Sequence, residues 1–176
     1  MAFFSQKKKV PIRTIAEHFG EQIFRTEMSK ENLNTIFGQL LNNETIDTGL
    51  TIEWLIFNMF IIVKSVEISI DSKNLTNEFL HIFHSYVYAL TCSTFEEAKI
   101  FEKLVIKRYE SYSAKLSPPY QSNPGDIATS IGILFGENAG TQHISVIYYI
   151  TQIFFRKLEI TTTFLKDLSS KVEFTL

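Results

Sequence analysis

Apolar residues recur along most of the chain at the spacing of amphipathic helices. The segment after Ser29 is a clear example, because its apolar positions follow the i, i+3, i+4, i+7, i+8 pattern that puts them on one face of a helix. These positions are Leu33, Ile36, Phe37, Leu40 and Leu41. Helix-start signals support the pattern elsewhere, with Pro11 at a first helical position and Thr94 and Glu97 spaced as a capping box. The pattern predicts about seven helices and an all-α fold.

The segment over residues 50–70 differs from its neighbours because it is apolar on both sides. Trp54 and Phe57 fall opposite the broad face that contains Leu55 and Met59. A helix that is apolar all round is normally enclosed by other helices, so we predict a central helix here. A strand is the alternative, since Ile, Val and Phe favour strands, but strict alternation is absent. Narrow polar seams remain, one at Glu53 and Lys64 and the other at Asn58 and Ser65.

The positions of the prolines, glycines and other turn residues along the chain predict one domain. We expect a flexible N-terminal tail over residues 1–10 and a single helical domain over 11–176. The clearest loop is 117–126, which contains three prolines and a glycine. A long helix is predicted over 141–160, with the threonines at 161–163 disrupting it. The sequence thus predicts a single-domain multi-helix bundle built around residues 50–70.

Charge and targeting signals narrow the class of protein. The chain of 176 residues carries 17 Lys and Arg against 19 Asp and Glu, and this near-neutral balance argues against a nucleic-acid partner. Its most apolar segment, 50–63, contains Glu53 and Asn58 and is shorter than the roughly 20 apolar residues of a membrane span. We therefore expect no transmembrane segment. The lysines at 7–9 follow Phe3 and Phe4, which is not the order of a signal peptide, so a cytoplasmic location is expected.

The motif most typical of a metal-binding site is Glu78-Phe-Leu-His81, because Glu-x-x-His on a helix places both side chains towards one metal ion. On a helical wheel, however, His81 lies almost opposite the apolar arc, with Glu78 beside it. The sequence contains no second Glu-x-x-His of the kind that a di-iron site requires. Glu78 and His81 are therefore candidate metal ligands, with a solvated helix face as the main alternative. No cofactor is predicted.

A second candidate site lies on the predicted helix that starts at Thr141. His143 falls on its apolar stripe and could act, with Tyr148 or Tyr149, as a polar contact for a ligand in the core. The alternative is a packed histidine with one satisfied ring nitrogen.

We find no catalytic constellation in the sequence, and an enzyme is the less favoured class. Sixteen Phe and seven Tyr supply apolar surface that is suited to a core, an interface or a ligand cavity. The sequence thus favours a non-enzymatic cytoplasmic module that binds a protein partner or forms a homo-oligomer. The alternatives are a bundle that binds a small apolar ligand and a metal-dependent helical enzyme.

Overall fold

The computed structural model describes residues 7–41, 45–116 and 123–176, and it confirms the all-α prediction. These residues form seven helices, two π-helical turns and two short strands. The helices are α1 (Ile12–Gln22), α2 (Lys30–Leu33), α3 (Thr48–Ser69), α4 (Lys73–Thr91), α5 (Phe95–Leu116), α6 (Pro124–Ala139) and α7 (Ile144–Lys171). The π-helical turns follow α1 and α2 at Ile23–Glu27 and Asn34–Gly38, and the strands are β1 (Lys8–Pro11) and β2 (Val172–Thr175).

Helix α3 is the central helix that the sequence predicts. One side of it packs with α1 and α4 in an apolar cluster that includes Met59 and Phe83. Its other side packs with α6 and α7 in a second cluster around Trp54 and Phe57. By length and composition α3 could cross a membrane, but 78% of that apolar stretch is buried inside the protein. The apolar character of α3 is therefore accounted for by enclosure within the bundle.

Short-range hydrogen bonds fix where the helices begin. The side chains of Ser29, Asp47 and Ser72 accept the backbone N–H groups that open α2, α3 and α4. The predicted capping box precedes α5: Thr94 Oγ1 accepts from Glu97 N at 3.2 Å, and Glu97 Oε2 accepts from Thr94 N at 3.2 Å. Each bond satisfies an N–H group that has no partner within its helix.

The chain differs from the prediction at the expected flexible tail. Residues 8–11 form β1, which pairs in parallel with β2, so that Lys8 lies opposite Val172 and Pro11 opposite Thr175. Residues 1–6 of that tail lie outside the described residues. The pairing escapes sequence analysis because each strand has only four residues and its partner is at the far end of the chain.

Two helix boundaries also differ from the prediction. Residues 117–122 of the expected loop lie outside the described residues, while 124–126 form the first turn of α6, which Asn123 caps. The expected break at the threonines 161–163 is absent, and α7 continues to Lys171. Packing overrides the weak helix propensity of threonine here, because Leu165, beyond the threonines, is fully buried in the core.

Helices α6 and α7 approach each other closely at Gly132. A Cβ atom at this position would lie 2.6 Å from the Ile147 carbonyl oxygen and even closer to Thr151 Oγ1. The backbone oxygen belongs to a helix and has little freedom to move. Any side chain at position 132 would therefore force the two helices apart.

We predict that Gly132→Ala lowers the free energy of unfolding by about 1–3 kcal/mol, the usual cost of overpacking. Gly38→Ala is the matched control, because a Cβ atom there meets nothing within 4 Å. The control should be neutral or stabilising by up to about 1 kcal/mol through helix propensity. Urea unfolding followed by circular dichroism measures both. Equal effects of the two variants would contradict the close approach.

Candidate functional site

Three of the four polar side chains in the seams of α3 are buried and have partners on other helices, whereas Lys64 is 25% exposed and pairs with Glu67 on α3 itself. Among the described residues, the buried polar side chains are Glu53, Asn58 and Ser65, all on α3. Ser65 Oγ donates to the Leu158 carbonyl of α7 at 3.4 Å. Glu53 and Asn58 each belong to a larger polar cluster. Buried polar groups need such partners, so the seams locate the polar chemistry of the interior.

The Glu53 cluster consists of Glu53, Arg108, Tyr112 and Asn138. Oε1 of Glu53 accepts from the Tyr112 hydroxyl at 2.6 Å and from Asn138 Nδ2 at 3.2 Å. Oε2 accepts from Arg108 Nε at 3.0 Å. Arg108 Nη2 also donates to the Asn138 carbonyl at 3.3 Å. Both carboxylate oxygens are thus satisfied within the protein.

Burial sets the electrostatics of this cluster. Glu53 is only 1% exposed, and its removal from water raises the pKa of its carboxyl group. The Tyr112 hydrogen bond and the Arg108 charge act in the opposite direction without reversing the shift. Because the carboxylate is closed in by α3, α5 and α6, we interpret the Glu53 cluster as a structural link between these helices.

The second cluster contains Lys157, Glu27 and Asn58. Lys157 Nζ donates to Glu27 Oε1 at 2.6 Å and to Asn58 Oδ1 at 2.9 Å. The same nitrogen lies 4.9 Å from the centre of the Trp54 ring, within the range of a cation–π interaction. Burial lowers the pKa of the Lys157 amine, and the Glu27 carboxylate partly offsets this shift. The lysine side chain remains 24% exposed, so this cluster reaches solvent.

A π-helical turn places Glu27 in this cluster. The turn spans Ile23–Glu27 and follows α1 directly. The Glu27 carbonyl accepts from Trp54 Nε1 at 3.1 Å and from Asn32 Nδ2 at 3.2 Å, which holds the backbone against α3. With its backbone fixed, Glu27 directs its carboxylate to Lys157 on α7. Short π-helical segments of this kind are frequent at functional sites.

Lys157 opens onto a cavity of about 380 Å³, here called the Lys157 pocket. The pocket lies between α1 with its π-helical turn, α3 and α7. Its apolar lining is provided by Phe19, Ile23, Ile61, Ile62 and Ile160. Its polar lining is provided by Gln22, Thr26, Glu27, Asn58, Lys157 and Thr161. An apolar cavity with a few grouped polar side chains is the usual form of a small-molecule site.

The predicted ligand contacts lie elsewhere. His143 is the residue that precedes α7, and it lines a separate cavity of about 360 Å³ with Asp47 and Thr141. Tyr148 is 65% exposed. Tyr149 is half-buried, and burial raises the pKa of its hydroxyl, with a further contribution from the Glu27 carboxylate. None of the three predicted residues lines the Lys157 pocket.

The predicted metal ligands do not form a cluster. Glu78 is half-buried and His81 is exposed. The next histidine, His84, is bound through Nδ1 to the Leu80 carbonyl at 2.7 Å and through Nε2 to the Tyr109 hydroxyl at 3.1 Å. Within the described ranges, no three His, Cys, Asp or Glu side chains are grouped to hold a metal ion.

Sequence analysis missed Lys157 and Glu27 as site residues, although a signal for Lys157 exists. The apolar stripe of α7 contains Val146, Ile150 and Phe154, and Lys157 follows at i+3, a position that would be assigned to the core. A lysine at such a position needs a hydrogen-bonding or charged partner inside the protein. Glu27 has no comparable signal, because the π-helical turn shifts it from its regular helical position.

Comparisons of the chain with protein-family models, with curated proteins and with solved structures found no match.

The raised pKa of Glu53 predicts a specific pH dependence. The carboxyl binds its proton more tightly in the folded chain, so its contribution to stability is fully present below its ordinary pKa of 4.5 and is lost as the pH rises through the folded pKa. We therefore expect the free energy of unfolding of the wild type, minus that of Glu53→Gln, to fall as the pH rises from 4.5 through the folded pKa of Glu53. Urea unfolding at a series of pH values measures it. Glu96→Gln, which removes an exposed carboxylate, is the control substitution.

Proposed function

We propose that this protein is a non-catalytic binding protein that holds a small apolar molecule, with one uncharged hydrogen-bonding head group, in the Lys157 pocket. The observation that carries the proposal is an apolar cavity, open to solvent, with a paired lysine and carboxylate in its wall. The volume of about 380 Å³ falls at the small end of the roughly 300–1,000 Å³ range of ligand pockets.

The charge of the polar wall favours a neutral head group. Lys157 and Glu27 neutralise each other at 2.6 Å. An anionic ligand would compete with Glu27 for the amine and leave a partly buried carboxylate unpaired, which is costly. A hydroxyl group can donate to Glu27 and accept from Lys157 at the same time. An alcohol with an apolar chain therefore matches the pocket.

The apolar surface continues from the pocket to the outside of the protein. Ile160 lines the pocket and is 59% exposed. Phe164, one turn further along α7, is also exposed and packs edge-on against Phe19 with their ring centres 6.0 Å apart. A chain longer than the cavity could lie along this surface, with its head group at Lys157.

The expectation of a protein-binding or self-associating module stays a prediction. Its best support is the set of exposed large apolar side chains in the part of the chain that the structure describes. These side chains are spread over α3, α4, α5, α6, α7 and the C-terminal residue Leu176. Light scattering that finds a monodisperse monomer would count against this module and leave the ligand-binding proposal untouched.

Trp54 provides an indirect assay for the ligand, because its ring contacts Lys157 but does not line the pocket. It is the single tryptophan of the chain, and Lys157 Nζ lies 4.9 Å from its ring. We predict that 1-octanol changes the Trp54 fluorescence in a saturable manner. Absence of any saturable change with alcohols and amides of this size would contradict the proposal.

A charge at the mouth of the pocket should weaken binding. We predict that Ile160→Glu raises the Kd for 1-octanol about tenfold, which corresponds to about 1.4 kcal/mol. Ile160 is exposed, so the variant should fold normally. Ile100→Glu is the matched control, because Ile100 is 70% exposed but does not line the pocket. Equal Kd values for the two variants would place the binding site elsewhere.

A further inference from the structure

The Lys157 amine combines three features that suit covalent chemistry. It faces an apolar cavity that a small molecule can enter. A carboxylate that can take up its proton, Glu27, lies 2.6 Å away. The Asn58 amide oxygen, 2.9 Å away, holds the nitrogen in place. A lysine that only stabilises the fold through an ion pair does not need a cavity beside it.

We propose that Lys157 captures apolar aldehydes reversibly, as an imine, inside the Lys157 pocket. The inference rests on the proposed function, because the same cavity would bind the apolar part of the aldehyde. The ligand class is an aliphatic or aromatic aldehyde whose apolar portion fits about 380 Å³.

The chemistry balances with the groups present. Glu27 takes one proton from the Lys157 ammonium, which frees the nitrogen lone pair. That lone pair attacks the aldehyde carbon, so that a C–N bond forms while the C=O π bond breaks and its electron pair moves to oxygen. The proton released from nitrogen passes to this oxygen to give a carbinolamine. The protonated Glu27 then returns its proton to the hydroxyl, which leaves as water, and the product is a protonated imine beside the Glu27 carboxylate. No oxidant or reductant is needed.

The pocket favours each stage of this reaction. Burial lowers the pKa of Lys157, so its neutral form is more accessible than that of an exposed lysine. The apolar lining holds the aldehyde next to the amine, which replaces a bimolecular encounter by a local one. The imine is a cation like the ammonium it replaces. Glu27 and the Trp54 ring, 4.9 Å from the nitrogen, therefore remain suitable partners.

Lys64 is a matched internal control. Its side chain is 25% exposed, close to the 24% of Lys157. It forms an ion pair with Glu67 at 2.8 Å and lies 5.7 Å from the centre of the Phe60 ring. Lys64 does not line the Lys157 pocket. A difference in reactivity between the two lysines therefore reports the cavity and the lowered pKa of Lys157, and competition by 1-octanol separates these two causes.

The test is reductive trapping of the full chain with octanal and cyanoborohydride, followed by peptide mass spectrometry. We expect Lys157 to be alkylated at least about tenfold faster than Lys64, because the cavity concentrates octanal at the amine. An excess of 1-octanol should slow the reaction at Lys157 and leave Lys64 unchanged. Ile160→Glu should have the same selective effect.

The outcomes separate this inference from the proposed function. Preferential alkylation of Lys157 that 1-octanol suppresses supports both. Saturable octanol binding with Lys157 trapped no faster than Lys64 overturns the imine and leaves the binding proposal standing. If octanol does not bind and the two lysines react equally, both proposals are overturned. Fast trapping at Lys157 that octanol does not suppress overturns capture within the pocket.

Discussion

The enclosure of α3 is the constraint on which the structure depends. A helix that is apolar on both sides is stable only when other helices cover it, and any polar side chain that it carries must then find its partner inside the protein. Glu53 and Asn58 meet this requirement through residues of other helices. Arg108 and Lys157 thus supply, from other helices, hydrogen-bond donors that these side chains of α3 need.

Both clusters provide partners for a buried polar side chain of α3, but the Glu53 cluster is closed and the Lys157 cluster borders a cavity. Around Glu53, three side chains occupy both carboxylate oxygens, and the site is closed. Removing one partner of such a buried pair typically costs about 3–5 kcal/mol, so the cluster is constrained by stability. Around Asn58, the partners leave an apolar cavity open beside them. The polar groups needed for stability in this second cluster are therefore also available to a ligand.

The sequence predicted those features that depend on local interactions. The enclosure of α3 follows from periodicity, and the capping box at Thr94 follows from hydrogen bonds over three residues. The site depends on contacts between distant positions. Lys157 pairs with Glu27 across 130 residues of sequence, and periodicity carries no information about that pairing.

Errors in the prediction have the same origin. The threonines at 161–163 disfavour a helix by their own propensity, yet α7 runs through them because the core covers Leu165 beyond them. His143 fell on the extrapolated stripe of α7 but lies just before the helix, where it faces a different cavity. At the threonines a tertiary contact outweighed the local pattern, and a single sequence does not reveal such a contact.

The parallel pair of β1 and β2 joins segments that are separated by nearly the whole chain. Two strands of four residues have little stability on their own, and the entropy lost on closing so long a loop must be recovered from other contacts. The strands can therefore pair only after α1 and α7 have brought them together. We therefore expect the small sheet to form late in folding and to open before the helices do.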